Sequence, residues 1–333
     1  MSQKGIGRLV QYGYAKEATR GTAISAATAW SPWDDLDFDE KADNVSADQA
    51  VGVIENSIGE YRVKNFADGS FKMPLTDLSS PLLFLSMFGA QAVATHAGET
   101  VVYDHTFTVG ETAQHQSLTM FVHDPLGGTD FSHANGVIHK MTLDAQLKKF
   151  VQLSMSVRAQ KGVSQSAFSP SIVAENRFIP QYMTFKYATT ASGLSGATAI
   201  ALKNIKLDID ADIEDQEVLG SVAPADFLNK EFKVSGTLEA IYQNLTDFKN
   251  IFLATPNVGQ AMLIDLKNTD VTIGSAANPE LAITLNQVFF KDLGIKKSLK
   301  DVVYQTLKFS ATYKLADTQM IKAVITNTQS GTY

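Results

Sequence analysis

The sequence predicts a mainly β fold: two related β-sandwich or β-barrel units, each with one short α-helix at its flank. Three observations carry this reading. Apolar and polar residues alternate with period two in one stretch after another. Gly, Asn and Ser clusters punctuate those stretches. The order of features in the first half of the chain recurs in the second. Period two places one set of side chains on a core and the other on water or a partner.

In the first half, Leu36 and Phe38 alternate with Asp35, Asp37 and Asp39, which reads as a strand with one acidic side. Phe71, Lys72 and Met73 begin a second strand. The run from Thr76 to Leu82 offers cap candidates and a proline suited to a first helical turn. Leu78, Leu82, Leu85 and Met87 then face a sheet, and Gly89 ends the helix. Met141, Leu143 and Ala145, then Val151, Leu153, Met155 and Val157, continue the alternation. Residues 161–180 contain a polar string from Gly162 to Ser166 and read as a linker. The expected units are 1–165, with an N-terminal arm, and 166–333.

In the second half, Leu207, Ile209, Ala211 and Ile213 alternate with Asp208, Asp210 and Asp212. Phe232 to Leu238 follows as the next strand. A helix is expected from Leu245 to Leu253, capped by Thr246 or Asp247 and ended by Pro256. Leu307, Phe309, Ala311 and Tyr313 belong to a closing strand. The apparent counterparts are Leu36-Asp37-Phe38-Asp39 with Leu207-Asp208-Ile209-Asp210, and Phe71-Lys72-Met73 with Phe232-Lys233-Val234. Their spacing drifts by roughly ten to twenty residues, as loops of different length allow.

Composition bounds the function. A chain of 333 residues has the length of about two domains. With 44% hydrophobic and 19% charged residues it has material for a real core. It has no cysteine, hence no disulfide, thiolate metal site or cysteine nucleophile. A net charge of −7 argues against gripping nucleic acid by charge. The start of the chain is polar, and the most apolar short stretch, 81–90, is about half a membrane span. Synthesis and assembly in a reducing cytosol, without a membrane, is the expectation.

Chemistry-bearing motifs are scarce. A calcium loop counted from Asp208 needs Gly at its sixth position and Glu at its twelfth, and finds Ile213 and Leu219. His96, His105, His115, His123, His133 and His139 form no helical zinc pair and read as loop and surface residues. No serine sits in a nucleophile elbow. Gly5 and Gly7 lack the preceding strand and third glycine of a dinucleotide loop. Gly127 and Gly128 after Pro125 are turn residues. No catalytic residue, metal ligand or cofactor is expected, and an enzyme is the last of the readings.

The stretch from Leu9 to Ala23, with Lys16-Glu17, Thr19 and Gly21-Thr22, resembles the start of tail tube proteins (major tail proteins) of long-tailed bacteriophages. Residues 136–143 and 150–158 resemble that family's paired strands, and residues 202–210 with 232–238 resemble another recurring tube segment. The resemblance implies β-sandwich units whose inner strands join side by side into one barrel, in rings that stack into a tube. It implies a tape-measure protein inside the growing tube, a tail terminator and tail-tip proteins at its ends, and DNA passing through without specific binding. Fused double units in such relatives form three-subunit rings with pseudo-sixfold symmetry, the arrangement favoured here, while single units form six-subunit rings. Asp37, Asp39, Asp208, Asp210 and Asp212 are then candidates for an acidic lumen lining. Tyr12, Lys16, Glu17 and Arg20, in an N-terminal arm, are candidates for contacts between rings, and the aperiodic segments 21–30 and 45–56 for parts that order on assembly. The competing readings are a tail-tip or baseplate ring, the tube of a secretion device, and a carbohydrate-binding sandwich using Trp30 and Trp33.

Overall fold

The computed structural model describes residues 4–127, 129–241, 246–297 and 303–333. In chain order the first half holds β1 (Gln11–Lys16), β2 (Ala29–Ser31), β3 (Asp35–Ser46), β4 (Glu60–Pro74), α1 (Ser80–Phe88), β5 (Gly89–Thr95), β6 (Tyr103–Val109), β7 (Leu118–His123), β8 (Asp130–Gln146), β9 (Gln152–Gln160) and β10 (Val163–Gln165). The second holds β11 (Met183–Ala188), β12 (Leu202–Gln216), β13 (Asp226–Ile241), α2 (Thr246–Leu253), β14 (Gln260–Lys267), β15 (Glu280–Lys296), β16 (Tyr304–Ala311) and β17 (Ile321–Asn327). The chain is mainly β and its strand pairs are antiparallel. Leu245 and Gly128, assigned above to a helix start and a turn, lie outside the described residues.

Eight strands pair in the order β3-β4-β9-β8-β12-β13-β16-β15. β8 and β15 are long, and each changes partners along its length. Up to Gly136, β8 pairs with β7 and β10; from Val137 it pairs with β9, and from Lys140 also with β12. β15 does the same, with β14 and β17 first and β16 beyond Val288. A bulge bends its strand and sharpens the twist, which lets one strand serve two sheets.

Three register shifts of the first half recur in the second, while the shift at Leu202/Asn204 between β12 and β13 has no match between β3 and β4. The shift at Ile138/Lys140 between β8 and β9 recurs at Phe290/Asp292 between β15 and β16. The shift at Asp43/Asn44 between β3 and β4 recurs at Asp212/Ile213 between β12 and β13. The shift at Leu118/Met120 between β7 and β8 recurs at Gln260/Met262 between β14 and β15. In this register Phe38 corresponds to Leu207, because each lies opposite a glycine, Gly69 or Gly236. Leu36, which the residue pattern sets against Leu207, is two positions away. Period-two patterns repeat every two residues, so a pattern match alone slips by that amount. Among the described residues the hairpin of β5 and β6 has no counterpart in the second half, and β6 pairs with β17.

One apolar core runs through both halves. Phe71, Met155, Leu143, Ile209, Val234 and Phe309 belong to it, together with Phe107, Ile264 and Ile283 from the other layer. The two halves are joined by β8–β12 and β6–β17 pairing and share this core. The segment 161–180 is also tied in: β10 pairs with β8, and Phe178 is buried.

Each half lays its helix on a long strand, α1 on β8 and α2 on β15. All nine residues of α1 are buried, so it is apolar all round and not only on the face of Leu82, Leu85 and Met87. Pro81 sits in its first turn. Gly89 ends it at φ 88°, and a Cβ there would lie 2.5 Å from the His115 ring, so both conformation and space call for glycine. The cap candidates act otherwise than expected. Ser79 makes no side-chain cap, and Asp77 accepts bonds from Asn176 N (2.9 Å) and Nδ2 (2.8 Å). These groups hold the segment between the halves. On α2, Phe248 is buried edge-on against Phe290, with ring centres 5.7 Å apart.

Candidate functional site

Strand register decides which side chains share a face, since directly opposed residues point the same way. Two rows of the eight-stranded sheet are traced through its registers. Asp35, Lys72, Ser154, Thr142, Asp208, Ser235 and Ser310 lie side by side across seven strands. Asp37, Ser70, Ser156, Lys140, Asp210 and Lys233 form the next row. Asp39 follows Asp37 on its strand opposite Asp68, and Asp212 follows Asp210 opposite Glu231. The structure therefore brings Asp37, Asp39, Asp208, Asp210 and Asp212 onto one face of one sheet. The residues between them, Phe38, Leu207, Ile209 and Ala211, turn into the core.

This open face is mainly polar and rich in carboxylates, with Phe66 under Lys64 and Arg158 as an aromatic exception. Thr142 Oγ1 donates to Asp208 at 2.6 Å, and Lys206 Nζ lies 2.9 Å from the same carboxylate. Arg158 bridges Asp68 and Asp215, each at 3.1 Å. Glu231 bonds Lys233 at 2.7 Å and, with nearby Asp212 and Asp210, holds its ammonium pKa above the ordinary value. Most of the lysines on the face thus already answer a carboxylate of the same subunit.

Two edges bound the sheet. Among the described residues, β3 pairs only with β4, and β15 beyond Val288 pairs only with β16. At one end of the sheet, the segment after β12 packs on β4. Asn65 N donates to Val222 O at 2.7 Å, and Lys64 bridges Asp215 and Glu217. The loop after β3 exposes Val51, Val53, Ile54 and Ile58, and the loop after β12 exposes Val218 and Leu219, with Ile54 and Leu219 fully exposed. Exposed apolar side chains grouped on a loop are candidates for an interaction surface. The motif search missed it. The signal was present in Val51, Val53, Ile54 and Ile58, apolar residues in a stretch with no period to bury them.

The four residues near the N-terminus are placed differently from an arm. β1 lies between β2 and β7 as a regular strand. Tyr12 is fully buried against Phe71 and Phe38. Glu17 is buried and accepts from Gly21 N (2.8 Å), Ser117 Oγ (2.6 Å), Thr119 Oγ1 (3.1 Å) and Asn135 N (2.8 Å). Arg20 bonds Asp226 at 2.7 Å and the carbonyls of Phe227 (2.6 Å) and His115. Lys16 donates to Tyr333 O at 2.5 Å. Tyr12 and Glu17 have no surface to offer a neighbouring ring, and Arg20 clamps the N-terminal segment to the second half. A strand with two tyrosines packs better inside a sheet than it hangs free.

The histidines also correct the expectation. His105, His115 and His133 are buried. His115 bonds the carbonyls of Met87 (2.9 Å) and Gly110 (3.0 Å). His133 sits edge-on to Phe38, and burial pulls its pKa down to about 4. They are packing residues of the fold.

No curated protein matches the chain. A family model described as phage tail tube protein matches residues 7–296, nearly its whole length and both halves. The chain therefore belongs to the phage tail tube protein family, whose members are structural components of the virion tail.

Proposed function

We propose that this chain is the ring-forming subunit of a tail tube. Its two halves, about 1–165 and 166–333, act as two tube units written in one chain. Three copies close a ring with pseudo-sixfold symmetry, and rings stack around a tape-measure protein in the host cytoplasm. A terminator and tail-tip proteins limit the ends, because a head-to-tail contact otherwise propagates without limit. The open face lines the lumen. One observation carries this reading: both acidic strands lie on one uncovered polar face, in a sheet whose two edges are unpaired.

Physics connects that face to the conduit. Each phosphate neutralised by a free Lys or Arg adds affinity, and affinity is friction for a sliding duplex. Carboxylates repel the duplex within a screening length of about 8 Å at physiological salt. Ring closure disposes of the open edges, which would otherwise template aggregation. The exposed apolar side chains of the loops after β3 and β12, Ile54 and Leu219 among them, suit stacking on the next ring.

Electron microscopy of the purified chain tests the proposal. Hollow tubes of uniform diameter, with three subunits per ring in averaged end views, are expected. Six subunits per ring would overturn the three-copy count, and single rings that never stack would favour a tail-tip component. Monodisperse monomers at high concentration would sink the ring reading.

A further inference from the structure

A cavity of about 410 Å³ opens between the first half, the segment that follows it and the end of the second half. Its volume lies in the range of small-ligand sites, about 300–1,000 Å³. Leu78 and Leu82, beside and within the first turn of α1, and Val173 give it apolar walls. Trp30 of β2 supplies an aromatic wall. That indole is buried and held still, with the rings of Phe121 and Phe168 centred 6.2 and 6.0 Å away.

One wall carries a carboxylate without a counter-ion. Glu175 lines the cavity, and its Oε2 accepts from Ser79 N (2.9 Å) and Ser79 Oγ (2.8 Å). Among the described residues, none bonds its Oε1 and none forms an ion pair with it. Asp77 is buried close by. Burial first, and then the charge of Glu175, push the Asp77 carboxyl above its ordinary pKa, and the bonds from Asn176 offset this only in part. Two carboxylates therefore crowd one region. Lys16, the cation among the described lining residues, already donates to Tyr333 O at 2.5 Å.

We propose that this cavity binds an organic cation, a primary ammonium on an aliphatic stem, with Glu175 as its counter-ion and Trp30 as its aromatic wall. Apolar walls suit the stem, and an indole attracts a cation over its face. The choice of head group follows from Glu175. A guanidinium is held best by two carboxylate oxygens in a fork. Here Oε2 is taken twice by Ser79, and one oxygen remains. A single oxygen suits a compact charge with rotatable donors. The hydroxyls of Thr28, Ser171 and Thr332 line the same cavity and supply acceptors for the other ammonium protons.

The walls come from β1, β2, α1, the segment 171–175 and residues 329–333. One bound cation thus ties the end of the second half to the first, and it stabilises the folded subunit by mass action. The ammonium has two sources, a free alkylamine or a lysine side chain of a neighbouring protein. The cavity selects the chemistry they share.

Titration calorimetry of the full chain tests the proposal with n-butylammonium, Nα-acetyl-lysine methylamide and 1-butanol. At least one ammonium should bind, and butanol, with the same stem and no charge, at least about tenfold more weakly. Binding of butylammonium alone assigns the site to a free amine, and binding of the lysine amide alone to a protein side chain. Binding of both shows that head and stem suffice. Glu175→Gln keeps an acceptor for Ser79 and should weaken ammonium binding at least about tenfold. Lys16→Gln removes the opposing charge and should tighten it about two- to fivefold. The ammonium that binds should also raise the thermal midpoint of the parent and leave that of Glu175→Gln unchanged.

Neither heat nor a thermal shift with either ammonium at millimolar concentration would overturn the proposal. So would butanol binding as tightly as butylammonium, or a Glu175→Gln chain, folded by circular dichroism, that binds like the parent. If Glu175→Gln does not fold, Lys16→Gln decides: tighter binding upholds the charge assignment, and unchanged or weaker binding overturns it. None of these outcomes bears on ring formation, which microscopy tests separately.

Discussion

Replacing Asp265 by Asn should stabilise the subunit, and only at neutral and alkaline pH. Asp265 lies half-buried on β14, with its Oδ1 unbonded. Burial, and then the charge of Glu280, push its carboxyl from the ordinary 3.8 up to about 6; Lys267 and Lys186 offset this only in part. The folded chain thus holds this proton more tightly than the unfolded chain. The stability that goes with the proton is fully present below about pH 4 and is lost as the pH rises through about 6. A rise of about two pKa units is worth about 3 kcal/mol. Partial exposure to solvent reduces that to about 2 kcal/mol. Asn carries no charge at any pH, so the variant escapes the loss. Urea unfolding of the unassembled subunit at pH 8, with a slope of about 3 kcal/mol/M, should show the midpoint raised by about 0.7 M. At pH 4 the midpoints of Asp265→Asn and the parent should coincide. An equal shift at both pH values, or a lower midpoint at pH 8, would refute the account of a carboxylate ionised against its surroundings.

Three further outcomes follow from the same geometry. Arg20→Ala leaves Asp226 and two carbonyls short of a donor and should cost about 3 kcal/mol in urea unfolding, against near zero for an exposed cation. Ile54→Ser with Leu219→Ser should change subunit stability by less than about 0.5 kcal/mol while tubes give way to single rings in the microscope. Asp39→Lys with Asp212→Lys should leave tubes intact but slow DNA ejection from particles, and ejection at the parental rate would exclude the lumen assignment.

Legibility in the sequence followed the physics of each feature. β12 was readable because Leu207, Ile209 and Ala211 face the core while Asp208, Asp210 and Asp212 do not. β3 was readable at Leu36 and Phe38, but not beyond Glu40, where the strand leaves the core and both faces are exposed. α1 was found through Pro81 and Gly89, whose roles are local. Its full burial was invisible, since that depends on β6 and β8 closing over it. The N-terminal residues misled because Glu17 and Arg20 look like surface charges in one dimension. Their partners, Asn135, Thr119 and Asp226, are 118, 102 and 206 residues away. No short-range pattern encodes such a pair.

The divergence of residues between the halves and the shared register of their matched strand pairs have one cause. Core positions need only an apolar side chain of suitable volume, so Val157 and Phe309 serve at corresponding places. Open-face positions need only a complementary neighbour, so Lys206 and Asp37 can differ in sign if the residues opposite them differ too. Neither constraint preserves identity. The bulges are another matter. Shifting one would turn every following side chain on its strand to the wrong face. The three register shifts are therefore the features that both halves must keep, and they recur at corresponding positions while the residues around them diverge. A search for the repeat by residue likeness lands two positions off on β3. A search by register finds it.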